Sequence, residues 1–332
     1  MYWFVVAILL IALPTWGPAL ITEAFSYALY LAFFGALLQS CFAKPLYFTA
    51  QAAFWATLMV ATKSQLGFMA AVLAAHGLVL LVVWRRAQLL PLAVVLAVAA
   101  GAVGNGAQVL SNGLHHGLYT RAALSGLPVF GLQLYLSSPA DQALLTDPAD
   151  RAYVATAHSK MAELKLFRTS LPGATDSPEG FQTIGDRILY GVLMPMEREK
   201  LGVVDLNAQQ TVDLDTRALR IAKVWIAHRP AVWVRHALQH ARTMSGFFIL
   251  LGVLVALSAP YLAWRQRHPW GYVLAMIAAT AAGNHLLISF VHVTQQRYVF
   301  IPDMVLIAAL LATLLRLPVQ APAASASGTE LA

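Results

Sequence analysis

Charged residues are scarce in this chain. Asp, Glu, Lys and Arg make up 11% of its 332 residues, whereas a soluble globular protein carries about 25%. Hydrophobic residues make up 59% and the mean hydropathy is +0.66, so the composition excludes an ordinary soluble protein and indicates an integral membrane protein. Cysteine is scarcer still, because Cys41 stands alone. A single thiol excludes an internal disulfide and a metal site built from several cysteines.

The charged residues that do occur are concentrated in one segment. Residues 111–243 hold 14 of the 22 Lys and Arg and 12 of the 15 Asp and Glu. We therefore predict an N-terminal transmembrane block at 1–110, a mainly helical insert at 111–243, a C-terminal transmembrane block at 244–316 and a disordered tail at 317–332. The net charge is +7, but basic residues beside membrane spans are ordinary, so we expect no nucleic-acid partner.

A helix needs about 20 apolar residues to cross the hydrocarbon core of a bilayer. Counting such stretches predicts an all-α, polytopic membrane protein with about eight transmembrane helices. The predicted spans are 3–22, 24–42, 46–62, 66–84, 88–110, 244–264, 269–291 and 298–316. The sequence PTWGP interrupts the first of these spans and the third is short, so seven or nine spans are alternatives.

The basic residues beside the spans predict the orientation, because Lys and Arg are enriched in short cytoplasmic loops. With both termini in the cytoplasm, six of these residues lie on the cytoplasmic side and two, Lys63 and Arg297, lie on the outer side. The six are Lys44, Arg85, Arg86, Arg265, Arg267 and Arg316. This orientation makes residues 111–243 extracytoplasmic.

Two acidic residues, Glu23 and Asp303, lie within or beside the hydrophobic blocks. An unpaired carboxylate inside a span costs roughly 2.5–3.5 kcal/mol, so Asp303 needs a partner, for which Arg297 is a candidate. Polar side chains retained at such a cost are candidates for function. The alternatives are structural: Lys63 and Arg297 would anchor helix ends at the interface, and Glu23 would cap a helix N-terminus.

Within the insert, the sequence predicts helices at 146–170, 181–201 and 208–228, and a loop at 171–180. The first helix would have Asp147 as its N-cap and Pro148 at its first position. The apolar stretch 128–138 is ambiguous between helix and strand.

The segment 216–242 is strongly basic, with six Lys or Arg, three His and no acid. One interpretation is an amphipathic helix at the membrane interface. The other is a platform that guides an anionic lipid carrier, in which Arg229, Arg235 and Arg242 are the lipid-guiding side chains.

Other motifs have weaker interpretations. His115 and His116, in NGLHHG, are candidates for a general base or a sugar contact. His236 and His240 have the i, i+4 spacing of a zinc pair, but no Glu follows the first His and basic residues surround both. The glycines of GAVGNGA (101–107) lie in a hydrophobic helix, where close helix packing explains them better than phosphate binding.

Four stretches together resemble a family. Three are LPTWGPALITEAFSYALYLAFFGALL (13–38), QAAFWATLMVATKSQLGFMAAVL (51–73) and QRYVFIPDMVLIAALLATLL (296–315), and the fourth is ALRIAKVWIAHRPAVWVRHAL (218–238). In order and sidedness they are similar to the C-type superfamily of membrane glycosyltransferases. That group includes the bacterial aminoarabinose transferases and the protein O-mannosyltransferases, which carry sugars from polyprenyl-phosphate donors on the outer membrane face.

The resemblance implies a location, a set of substrates and a set of residue roles. The location would be the bacterial inner membrane, and the acceptor would be a glycan, a lipid or a protein. Glu23 matches an acidic outer position and would act as the base or as a carboxylate associated with a divalent cation, while Lys63 and Arg297 match basic positions that meet the donor phosphate. From the residues themselves, Asp303 would orient Arg297, and His292 or Gln295 would contact the head group of the donor. Tyr298, His115 and His116 are further supporting candidates.

The chain departs from the family in one respect. The family's principal catalytic carboxylate lies in a first outer loop, after a span that has no counterpart here, since Met1 falls where the family's third span begins. The chain is then either an N-terminally shortened member or a divergent member that uses Glu23. The rival hypotheses are an inactive relative that binds polyprenyl lipid or a partner subunit and, more remotely, a transporter or flippase.

Overall fold

A computed structural model of the chain describes residues 20–62, 64–120, 126–171, 177–266, 269–291 and 297–314. Throughout these ranges the regular secondary structure is helical, without strands. The α-helices are α1 (Leu20–Phe42), α2 (Pro45–Thr62), α3 (Phe68–Trp84), α4 (Leu89–His116), α5 (Gly126–Leu136), α6 (Pro148–Glu163), α7 (Pro178–Ile188), α8 (Met194–Leu201), α9 (Ala208–His228), α10 (Pro230–Gln266), α11 (Trp270–Val291) and α12 (Arg297–Leu314). Short 3-10 helices occupy Ser64–Gly67 and Pro139–Leu144, and a π-helical turn at Leu189–Leu193 joins α7 to α8.

Three of the described helices are long and apolar enough to cross a membrane, by length and composition: Phe25–Phe42, Leu89–His115 and Trp270–Phe290. Pro230–Thr243 and Ser245–Tyr261, two parts of α10 that meet at 90°, together make a fourth candidate. The all-α, membrane-spanning character predicted from the sequence is therefore supported.

The predicted number of eight spans is not established by these helices. The predicted spans 46–62, 66–84 and 298–316 do form helices α2, α3 and α12. However, α3 has 17 residues and the apolar part of α12 is the short stretch Pro302–Thr313. The predicted span 3–22 lies almost entirely outside the described residues, as does the predicted tail at 317–332.

The chain forms two compact units, and the first comprises Met1–Ala107, Gly252–Ala281 and Phe300–Ala332. Its described helices pack through small residues. A Cβ at Gly77 of α3 would lie 2.5 Å from Cβ of Ala93 in α4, and a Cβ at Gly104 of α4 would lie 2.6 Å from Cβ of Val60 in α2. Small residues let helix backbones approach closely where apolar burial gives no driving force. The packing role predicted for GAVGNGA is confirmed at Gly104.

A buried polar contact also joins two helices of this unit. Oγ of Ser40 in α1 lies 2.7 Å from Nε2 of His76 in α3 and donates to the carbonyl oxygen of Leu37 at 2.7 Å. Both side chains are fully buried. Because buried polar groups need partners, this pair fixes how α1 faces α3.

The second unit comprises Gln108–Leu251 and Ala282–Val299, and α5 lies at the centre of its hydrophobic core. Almost every residue of α5 is buried, on all sides of the helix. The ambiguous stretch 128–138 is therefore mostly helix, since a short helix buried all round carries the same continuous apolar run as a buried strand. The largest core side chain is Trp225 of α9, which packs against Phe130 of α5 with ring centroids 5.7 Å apart.

The helix starts in this unit follow local capping chemistry. The Asp147 carboxylate accepts a hydrogen bond from the Ala149 N–H at 2.8 Å, with Pro148 at the first helical position, as the sequence predicts. Asn207 and Gln210 form a reciprocal capping box at the start of α9. The helix predicted at 146–170 is shorter than expected, because Lys165 adopts a left-handed conformation (φ 53°) soon after Glu163.

Candidate functional site

The residues expected to carry the chemistry lie largely outside what the structure describes. Lys63, His292 and Gln295 are outside the described residues. The other three have a described backbone but not a described side chain: Glu23 lies in the first turn of α1, and Arg297 and Tyr298 begin α12. Their assigned roles stay predictions.

Asp303 is the member of this group with a described side chain. It lies in α12 directly after Pro302, and its side chain is 7% exposed. It takes part in at least one hydrogen-bonding or electrostatic interaction, as a carboxylate in an apolar helix requires.

The NGLHHG motif ends α4. Gly117 adopts φ 70°, and its N–H donates to the Gly113 carbonyl at 3.0 Å, which is a left-handed helix cap. The Asn112 amide donates to the Thr120 carbonyl at 2.8 Å, and the Tyr119 ring lies against Gly113 where a Cβ would clash. These contacts explain the motif as the sequence that ends helix α4. His115 lies exposed at this helix end, and the side chain of His116 is not described.

The three predicted lipid-guiding arginines have different environments. Arg229 lies between α9 and α10, and its Nη1 donates to the Asp141 carboxylate at 2.8 Å. Arg235 and Arg242 are exposed on the first part of α10. Around them, Val232 and Leu238 are also exposed, by 41% and 52%. Exposed arginines interleaved with exposed apolar side chains are typical of a helix at a membrane interface.

Six of the ten acidic side chains that the structure describes in the second unit are engaged in ion pairs. One of them is the bidentate contact of Arg220 with Asp150, at 2.9 Å from Nε and 2.6 Å from Nη2. The other pairs are Arg220–Asp147, Arg229–Asp141, Arg217–Glu197, Lys200–Glu197, Arg198–Asp205 and Lys160–Glu199. Seven exposed cations of this unit have no ion-pair partner among the described residues, against four such acids, so the unit offers uncompensated positive charge. The seven are Arg151, Lys165, Arg168, Arg187, Lys223, Arg235 and Arg242.

Sequence reasoning missed a buried serine–histidine–glutamine chain in the second unit. Nε2 of His158 lies 2.8 Å from Oγ of Ser137, and Nδ1 lies 3.0 Å from Nε2 of Gln142. The His158 ring stacks on Trp225 with 6.1 Å between centroids. No local spacing could reveal this chain, because Ser137 and Gln142 lie 21 and 16 residues before His158 in the sequence.

The directions of these hydrogen bonds argue against a nucleophilic serine. Oγ of Ser137 donates to the carbonyl oxygen of Leu134 at 2.8 Å, so it accepts from Nε2–H of His158, whose Nδ1 accepts from Gln142. A histidine that donates to the serine cannot remove its proton. Burial lowers the pKa of His158 against an opposing effect of the Asp141 charge, so the neutral ring fits its structural role.

A metal centre finds no support within the described ranges, where no group of three or more His, Cys, Asp or Glu side chains is placed to hold an ion. His236 and His240 are both buried on α10. Nδ1 of His240 donates to the carbonyl oxygen of Ser289 at 3.3 Å, which uses that nitrogen for contact with α11.

Comparisons with protein-family models, with curated proteins and with solved structures gave no match for this chain. The class of the protein therefore rests on its own helices and composition. In the part of the chain that the structure describes, the regular secondary structure is helical and several helices are long and apolar enough to span a membrane. One compact helical unit is rich in charged residues.

Proposed function

We propose that this chain is a multi-pass membrane protein of glycosyltransferase type. It would transfer a sugar from a polyprenyl-phosphate-linked donor to a glycan, lipid or protein acceptor on the outer face of a bacterial inner membrane. About eight spans with cytoplasmic termini would place residues 111–243 on that face. The family resemblance of the hydrophobic stretches motivates this proposal.

One observation on the described residues supports an anionic lipid as the ligand. Six of the ten acidic side chains that the structure describes in the second unit form ion pairs, whereas Lys223, Arg235 and Arg242 are exposed without such partners among the described residues. The last two lie on the part of α10 that precedes the apolar stretch Ser245–Tyr261. Cations in this position attract phosphate groups at a membrane surface.

The proposed reaction forms a bond between the acceptor oxygen and the anomeric carbon of the sugar, and breaks the bond from that carbon to the phosphate oxygen. The acceptor proton passes to a carboxylate, which we assign to Glu23, and polyprenyl phosphate departs with the bonding electrons. Arg297 and Lys63 would stabilise the negative charge that develops on the phosphate. Arginine suits this task because its planar guanidinium donates two parallel hydrogen bonds to an oxyanion.

The test is a transfer assay in membranes that contain the full chain, with polyprenyl-phosphate donors carrying labelled mannose or aminoarabinose. We expect Arg297→Ala to lose about 10²–10³-fold in rate, the usual effect of removing a donor that stabilises transition-state charge. Arg297→Lys should keep part of the activity. Arg85→Ala is the matched control, because Arg85 is an exposed cation on the predicted cytoplasmic side.

Two results would contradict the proposal in different ways. Equal, wild-type activity of both Arg297 variants would remove Arg297 from the reaction. Tight binding of polyprenyl phosphate by the wild-type chain without any transfer would favour the inactive, lipid-binding relative.

A further inference from the structure

Arg229 uses only one side of its guanidinium group in the contacts that the structure describes. Nη1 donates to Oδ2 of Asp141, which also accepts from the N–H and the hydroxyl of Ser138 at 2.7 and 3.1 Å. The contact fixes the arginine at the junction where α9 ends and α10 begins. Three quarters of the Arg229 side chain is shielded from solvent.

The opposite edge of the same group has no partner among the residues that the structure describes. Nε and Nη2 of Arg229 are both buried, and neither has a hydrogen-bond acceptor within reach. These two nitrogens point their N–H groups in parallel, in the geometry that matches two oxygens of one anion. A buried, unsatisfied donor on a charged group is costly, so such an edge is normally matched by an acceptor.

Arg220 shows what this edge does when an acceptor is present. Its Nε and Nη2 donate to the two carboxylate oxygens of Asp150 at 2.9 and 2.6 Å. Both arginines belong to the second unit and lie nine residues apart, yet only Arg220 has an oxyanion on its Nε–Nη2 edge. The difference identifies the Arg229 edge as the unmatched one.

We propose that the Nε–Nη2 edge of Arg229 binds an oxyanion of the phosphate class. Asp141 holds the guanidinium in place from the other side, which lowers the entropic cost of binding. The partial positive charge at the first turn of α10, next to Arg229, adds to the attraction. The assignment of a lipid phosphate as the natural occupant rests on the proposed function, whereas binding of phosphate as such does not.

The experiment measures phosphate binding to the full-length protein in detergent micelles by isothermal titration calorimetry. One arm uses inorganic phosphate, and the other uses farnesyl phosphate, an isoprenyl phosphomonoester, with farnesol as the control for partition into micelles. The variants are Arg229→Lys, which keeps the charge beside Asp141 but loses the two-pronged edge, and Arg229→Gln. Arg187→Gln is the matched control, since it removes an exposed arginine from α7 of the same unit, to which no binding role is assigned.

We expect Arg229→Lys to weaken phosphate binding by about ten- to a hundredfold, as for the loss of a charged hydrogen bond. Arg229→Gln should weaken it at least as much, and Arg187→Gln should change it less than about twofold. The lysine variant keeps the result decisive if the glutamine variant fails to fold, which circular dichroism would show.

The two arms separate the sources of the oxyanion. Tighter binding of farnesyl phosphate than of inorganic phosphate, with no matching signal from farnesol, supports a lipid phosphate. Equal affinities support a site for free phosphate, and in that case the proposed function loses this support while the oxyanion site stands. Absence of binding in both arms, or binding by Arg229→Lys equal to wild type, overturns the proposal.

Discussion

The start of α5 is held by a carboxylate that lies 88 residues further along the chain. Oδ1 of Asp215 in α9 accepts a hydrogen bond from the Leu127 N–H at 2.8 Å, and Asp215 is 3% exposed. The first N–H groups of a helix have no partner within the helix, and this remote carboxylate supplies an acceptor for one of them. Burial raises the pKa of the Asp215 carboxyl, although its hydrogen bonds to the Leu127 and Gly126 backbone oppose the shift.

This arrangement predicts different outcomes for two substitutions of Asp215. In Asp215→Ala the buried Leu127 N–H loses its acceptor, which costs about 1–3 kcal/mol. In Asp215→Asn the amide oxygen still accepts from Leu127 and no charge has to be buried. Burial raises the pKa of Asp215 and so disfavours the charged carboxylate at this position. We therefore expect the free energy of unfolding of the asparagine variant to lie within about 1 kcal/mol of the wild-type value.

The assay is thermal unfolding of the full chain in detergent, followed by near-ultraviolet circular dichroism, with hydrogen exchange of the peptide that covers Gly126–Leu136. A loss of 1 kcal/mol lowers the melting temperature by about 2–4 °C for a unit of this size. Asp215→Ala should show the lower melting temperature and faster exchange at the start of α5. If Asp215→Ala and Asp215→Asn behave alike in both measurements, the remote cap does not stabilise the helix.

Two further predictions concern packing and pH. Gly104→Ala should destabilise the chain by about 1–3 kcal/mol, because the added Cβ would lie 2.6 Å from Cβ of Val60. The control Gly101→Ala should leave stability unchanged, because nothing lies within 4 Å of its added Cβ. Equal melting temperatures of the two variants would contradict this prediction. Acidification from pH 7 to 5 should lower the melting temperature, because burial holds the pKa of His158 below its unfolded value of about 6.5 and the unfolded chain then binds the proton first. His158→Gln should show a shallower pH dependence, and an unchanged slope would exclude His158 as a contributor.

The proposed catalytic residues show where sequence reasoning stops short of a site. Glu23 and Arg297 can be placed on helices from the sequence, but a site requires several side chains at defined distances. Such distances depend on how helices pack. The sequence equally could not show that Arg229, predicted as a lipid-guiding residue, also contacts Asp141 88 residues earlier, because no local pattern links the two.

By itself the sequence determined the class of molecule and its local structure. Composition indicated a membrane protein. Short-range chemistry predicted helices, including Asp147 and Pro148 at the start of α6 and a helix at 208–228. It could do so because a helix cap depends on residues within about one turn and a hydrophobic run is continuous in the sequence. Only the tertiary structure decided which groups meet over long separations: Asp215 at the start of α5, His158 beside Ser137, and Arg229 with one edge on Asp141. Those contacts follow from the packing of whole helices, in which each helix restricts the orientation of its neighbours.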